Sequence, residues 1–243
     1  MSSVQQQARD FTCQVTRHFA YLLYLPGDYD AAQSWPLVLS LHGSGERGDD
    51  LDLVKLHGIP RLIHQGYEIP WTSQRNLPTH RGIPWLLHQG HEFPCIVVAP
   101  QCPAKLRWEP DVLIQLIDHV AHDYALDAER IYVTGLSMGG EGTWNLAVNY
   151  PDRFAAIVPI CGHSYPEQAR KIKHLPTWVF HGAKDQVVPL KASEDMVKAL
   201  EANSGMVQFT VYPETGHDAW TETYANPELY RWLFAQRRQP ISE

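Results

Sequence analysis

At 243 residues, 44% of them hydrophobic and 19% charged, the chain is long enough to bury a core of its own and fits one large domain. A formal net charge of −7 argues against a surface built for polyanions, so no nucleic-acid partner is expected. No apolar run approaches the length of a membrane span, and the opening Met1-Ser-Ser-Val-Gln-Gln-Gln-Ala-Arg-Asp10 lacks an apolar signal core, so the expected location is cytoplasmic.

In chain order, Arg17 to Leu25 is rich in Phe, Tyr and Leu and ends at Pro26-Gly27, which reads as a strand and a turn. Trp35 to Leu41 is a second strand, running into His42-Gly-Ser-Gly45. Cys95-Ile-Val-Val-Ala99 is short and wholly apolar, as in a strand buried on both faces of a parallel sheet. From Asp111 to Tyr124, Leu113, Leu116, Ile117, Val120 and Tyr124 repeat at helical spacing. Arg130 to Thr134, Phe154 to Ile160, Thr177 to Phe180 and Val207 to Tyr212 read as further strands. Helical stretches fall near Pro166 to Lys173, Leu190 to Ala202 and Pro227 to Arg237. Strands alternating with helices predict an α/β fold, a mostly parallel sheet with helices on both faces. Such sheets bind ligands beyond the carboxyl ends of their strands.

One segment exceeds the needs of a minimal fold. Gly58 to Pro70 recurs as Gly82 to Pro94, with nine of thirteen positions identical at an offset of 24 residues. Two copies are too few for a solenoid, so a tandem duplication within one connection, at about 57–94, is the reading. One copy serves as the helix before the Cys95 strand. The other is an insertion that either overhangs the catalytic edge as a partial lid or forms a surface excursion with no catalytic part.

Chemistry concentrates at Gly135-Leu136-Ser137-Met138-Gly139, which fits G-x-S-x-G. An apolar, β-branched run precedes it and Gly140 to Val148 reads as a helix after it. The strand must reverse sharply there, which lifts the Ser137 hydroxyl clear of the backbone and sets the Met138 N–H where an oxyanion would form. A serine hydroxyl needs a neighbouring base, and the base needs an acceptor that fixes its tautomer. His217 lies directly past the last strand and is the preferred base, over His163, His174 and His181. Asp185, in the loop after the Trp178 strand, is the preferred acid, over Glu194, Asp195 and Asp218. The second oxyanion donor is expected from His42-Gly-Ser-Gly45, as the N–H of Ser44 or of Gly45. Glu46 and Arg47 are expected to pair and brace that loop.

Trp108, Trp220 and His163 are candidates for lining the substrate cleft, though each tryptophan equally well packs under a loop. His119/His122 and His88/His91 have loose metal-like spacing without an H-E-x-x-H pattern and read as polar helix faces. Cys13, Cys95, Cys102 and Cys161 show no C-x-x-C spacing, so neither a metal site nor a redox pair is expected.

Five stretches carry a likeness to a known group: Leu41 to Gly48, Val98 to Gln101, Gly135 to Gly140, Phe180 to Asp185 and Gly216 to Trp220. From about Arg17 to Arg237 the chain resembles the α/β-hydrolase superfamily, in its dienelactone-hydrolase-like and polyhydroxybutyrate-depolymerase-like esterase branch. Proteins described as predicted peptidases or phospholipase/carboxylesterases are the nearest look. The resemblance implies Ser137, Asp185 and His217 as the triad, in agreement with the ordering argument. The duplicated segment departs from it and puts the cleft shape, not the triad, in question. The expected function is a serine carboxylester hydrolase, acting on small to medium esters without a cofactor. An acyltransferase or thioesterase with the same triad, and a binding protein on the same fold, are the alternatives.

Overall fold

The computed structural model describes residues 16–66 and 93–238. The second repeat copy up to residue 92, the lid question and the His88/His91 pair lie outside them.

Among the described residues, seven strands form one sheet: β1 (Tyr21–Tyr24), β2 (Trp35–Leu41), β3 (Ile96–Pro100), β4 (Leu126–Leu136), β5 (Ala156–Ile160), β6 (Thr177–Gly182) and β7 (Val207–Tyr212). Their order is β1-β3-β2-β4-β5-β6-β7. Only β1 runs antiparallel, pairing Tyr21 with Pro100 through Tyr24 with Val97; all other pairings are parallel. Among the described residues, six helices cover the sheet: α1 (Gly58–His64), α2 (Pro110–Asp123), α3 (Met138–Asn149), α4 (Lys191–Ala202), α5 (Ala219–Ala225) and α6 (Pro227–Ala235). The stretch near Pro166 to Lys173, read as helical, is a 3-10 helix over Pro166–Ile172.

Strand alternation sorts the core into two layers. Leu37, Leu39 and Leu41 face Leu113 and Ile117 of α2, Trp144 of α3 and Met196 and Leu200 of α4. Val38, Val97, Tyr132 and Val158 face the other way, toward Ile59 of α1, Tyr224 of α5 and Leu229, Tyr230 and Leu233 of α6. Strands β2, β3 and β5 are buried along their whole length, which is why they read as unbroken apolar runs. This is the α/β-hydrolase architecture expected from the sequence.

The sheet order locates the site. After β2 the chain steps to β3 on one side, then β4 returns to pair with β2 on the other. The loops leaving β2 and β4 therefore diverge and open a crevice at the carboxyl rim.

Candidate active site

The turn after β4 carries backbone strain. Ser137 has φ 53° and ψ −114°, a conformation rarely adopted outside glycine. It persists because packing over-determines it. The Ser137 N–H donates to the Ile160 carbonyl at 2.9 Å. A Cβ on Gly135 would lie 2.3 Å from the Gly139 carbonyl oxygen, and one on Gly139 would lie 2.0 Å from that of Leu41. Both contacts are with backbone that cannot swing aside, so strand and helix approach this closely only with glycine at the two positions.

Three loops converge on the serine. The Ser137 hydroxyl donates to His217 Nε2 at 2.9 Å, and His217 Nδ1–H donates to Asp185 Oδ2 at 2.7 Å. The Asp185 side chain is fully buried, that of His217 one-fifth exposed. The other Asp185 oxygen accepts the N–H groups of Val187 and Val188 at 2.8 and 2.9 Å. Burial alone would push the Asp185 pKa up. The His217 bond and the two backbone donors outweigh it, so the carboxyl lies below its ordinary range.

The sequence rivals lie elsewhere. Asp218 caps α5 by accepting from the Thr221 N–H. Asp195 pairs with Lys191 and Glu194 lies beside Lys198. His174 lies 3.2 Å from Asp152 at the surface. His163 is exposed on the loop after β5. His119 and His122 are exposed on α2, with His119 beside Asp123.

His181 proves closer to the site than its sequence position suggests. Strand β6 runs on past Phe180 to Gly182, and His181 is fully buried. Its Nδ1 accepts from Ser193 Oγ at 2.7 Å. Its Nε2–H donates to the Val188 carbonyl at 2.9 Å and lies 3.2 Å from Asp185 Oδ2. The ring thus clamps the loop that holds the carboxylate, and burial lowers its pKa. Cys161, at φ 39°, donates its thiol to the His217 carbonyl at 3.2 Å, tying the end of β5 to the histidine loop.

The loop after β2 is braced from below. His42 is 5% exposed; its Nδ1–H donates to the Gly43 carbonyl at 2.6 Å and its Nε2 accepts the Cys102 N–H at 2.9 Å. Gln101 Nε2 donates to the carbonyls of Glu46 and Asp50 at 2.9 and 2.7 Å. Trp108 Nε1 donates to the His42 carbonyl at 3.1 Å. The Ser44 N–H opens a 3-10 turn and the Met138 N–H opens α3, so neither has an acceptor within its own helix. Ser44 and Gly45 are exposed at the rim, and a Cβ on Gly45 would meet nothing within 4 Å.

Two sequence expectations need correction. Trp108 is not a cleft wall: it is 5% exposed, packs edge-on against the His42 ring at 4.8 Å, and fills the space that Gly142 leaves open. Glu46 and Arg47 do not pair. Arg47 donates to the Ser44 and Leu106 carbonyls, while Glu46 turns inward toward His42 and His57. Trp220, in contrast, stands edge-on to the His217 ring at 5.3 Å.

Comparison with known proteins agrees with this architecture. Residues 105–229, just over half of the chain, match the dienelactone hydrolase family model, and that span contains Ser137, Asp185 and His217. A poly(3-hydroxyoctanoate) depolymerase from Pseudomonas fluorescens is 32% identical over 121 residues, covering 38% of this chain and 42% of the relative. A bifunctional acetylxylan esterase/xylanase from Neocallimastix patriciarum is 29% identical over 84 residues, covering 35% of this chain and 12% of the relative. The chain thus spans less than half the length of these curated relatives. The crystal structure of a thermostable esterase superposes with a TM-score of 0.71 at 32% identity, over 90% of this chain and 60% of that one. The family match, the sheet order and the elbow at Ser137 together place the chain in the dienelactone hydrolase family.

Proposed function

We propose that the protein is a serine carboxylester hydrolase working through an acyl-enzyme. The supporting observation is the unbroken hydrogen-bonded line from the Ser137 hydroxyl through His217 to the buried Asp185 carboxylate. Ser137 Oγ attacks the ester carbonyl carbon as its proton passes to His217 Nε2. Asp185 holds the Nδ1–H tautomer and stabilises the imidazolium. The carbonyl oxygen becomes an oxyanion held by the N–H of Met138 and that of Ser44. Such donors contribute on the order of 3 kcal/mol each in a water-poor site. Collapse of the tetrahedral species expels the alcohol, which takes the proton from His217, and leaves Ser137 acylated. Water then repeats the sequence, with His217 first as base and then as acid, and releases the carboxylic acid. Every step uses the chain's own groups, the ester and water.

Small to medium carboxylic esters are the proposed substrates. Replacing Ser137 by Ala should lower turnover of p-nitrophenyl acetate by roughly 10⁴-fold or more. A fluorophosphonate should label the unaltered protein at that serine. Near-normal turnover in the alanine variant would defeat the reading.

A further inference from the structure

Beside the serine lies a group of polar atoms that the proposed reaction does not use. Glu46 Oε2, His57 Nδ1 and Trp220 Nε1 are buried and without a hydrogen-bond partner among the described residues. They belong to one contiguous set. Glu46 Oε1 lies 3.5 Å from His57 Nε2, the His57 ring stands edge-on to Trp220 at 5.7 Å, and Trp220 stands edge-on to His217 at 5.3 Å. Gly43 lies between Glu46 and the nucleophile. A Cβ on Gly43 would lie 3.2 Å from Glu46 Oε2 and 3.6 Å from Ser137 Cβ, so carboxylate and nucleophile flank the same face of that residue.

The Glu46 side chain is only 8% exposed, and His42 Nδ1, 3.7 Å from Oε2, is already engaged by the Gly43 carbonyl. A carboxylate oxygen buried without a donor is costly, and a fold that keeps one is expected to gain a donor in its working state. The identities of the three atoms restrict that partner. Glu46 Oε2 accepts. Trp220 Nε1–H only donates. With Nε2–H turned toward Glu46, His57 presents Nδ1 as an acceptor. An alkyl group leaves all three unsatisfied. A carboxylate or phosphate meets the charge on Glu46. An ammonium leaves the tryptophan N–H without an acceptor. A hydroxyl both donates and accepts, and two neighbouring hydroxyls complete the set.

We infer that Glu46, His57 and Trp220 form a hydroxyl-recognising subsite, which selects esters carrying a free hydroxyl next to the scissile bond. The inference rests on the hydrolase reading and names the substrate chemistry that reading leaves open. A subsite built to hydrogen-bond a hydroxyl discriminates strongly against the analogue that lacks it, because its polar groups are then left unpaired.

The test compares kcat/KM on matched pairs. On the alcohol side the pair is 1-monoacetylglycerol and propyl acetate; on the acyl side it is methyl 3-hydroxybutyrate and methyl butyrate. One pair should favour the hydroxylated member by about 10- to 100-fold, and which pair responds tells on which side of the ester the hydroxyl sits. Trp220→Phe removes one N–H with little change of shape, and Glu46→Gln keeps the side-chain volume. Each should reduce the preference several-fold, whatever it does to absolute turnover. Ratios within about threefold for both pairs in the unaltered protein would overturn the subsite, as would a preference that neither substitution moves. Turnover of p-nitrophenyl acetate and labelling of Ser137 separate the two levels. If both are normal and no hydroxyl preference exists, the subsite alone fails; if both are absent, the hydrolase reading fails and the subsite with it.

Discussion

Replacing His42 by Gln should flatten the acid side of the protein's stability profile. Burial pushes the His42 pKa down from the ordinary 6.5 to about 4; its bond to the Gly43 carbonyl opposes the shift and Arg47 adds to it. As pH falls below 6.5, His42 in the unfolded chain takes up a proton while the folded ring does not until about pH 4. The unfolded state therefore binds more protons across that window, so stability falls with falling pH and levels off below it. At 1.36 kcal/mol per pKa unit, the loss attributable to this one ring is about 3 kcal/mol. His181 is shifted in the same direction by burial and adds to the slope. Asp185, whose pKa is lowered, holds its contribution until pH falls below its ordinary 3.8, outside the window. The assay is urea unfolding followed by tryptophan fluorescence at pH 7, 6, 5 and 4, on the unaltered protein and His42→Gln. The variant is expected to start less stable, having lost part of its anchorage to Cys102 and Gly43, yet to lose about 3 kcal/mol less between pH 6.5 and 4. Equal slopes for the two proteins would refute the burial argument, as would a His42 ring titrating near 6.5 by NMR.

Other outcomes follow from the same geometry. Asp185→Asn should retain the fold, because an amide oxygen still accepts from Val187 and Val188, but should lower kcat by about 10⁴ by disturbing the His217 tautomer; a loss under tenfold speaks against the assigned role. Gly139→Ala drives a methyl to 2.0 Å from the Leu41 carbonyl oxygen. Overpacking of that kind costs about 1–3 kcal/mol or more and should lower Tm by several degrees while slowing fluorophosphonate labelling; an unchanged Tm would mean that the strand and helix are free to separate.

What the sequence revealed depended on whether an element's packing is periodic. Strands β2, β3 and β5 are buried throughout and announce themselves as apolar runs. Strand β4 extends back to Leu126, past where its pattern was legible, because Asp127 and Glu129 lie on its half-exposed start. The first strand shrinks to Tyr21–Tyr24 because the ladder to β3 holds only those residues. Helix α5 spans seven residues and is launched by a cap on Asp218, too short for a repeat to register. The convergence of Ser137, Asp185 and His217 was readable because each stands at a strand end in a fixed chain order. The supports were not. His42, Gln101 and His181 act through single long-range bonds to backbone or to one side chain, and such bonds leave no pattern in sequence. The sequence leaves Trp108 open between cleft wall and packing for the same reason: its core position depends on the space opposite Gly142, which only the folded chain reveals.

The parallel ladders have a consequence for how activity reports on folding. Leu41 pairs with Gly135, Leu136 with Ile160, and Gly182 with Tyr212, each at the last residues before a loop of the site. Slipping one strand by a single residue would carry its loop about 3.3 Å along the sheet and turn its side chains to the opposite layer. A preparation containing misaligned molecules would hence lose active fraction, while the turnover of each correctly aligned molecule stayed the same.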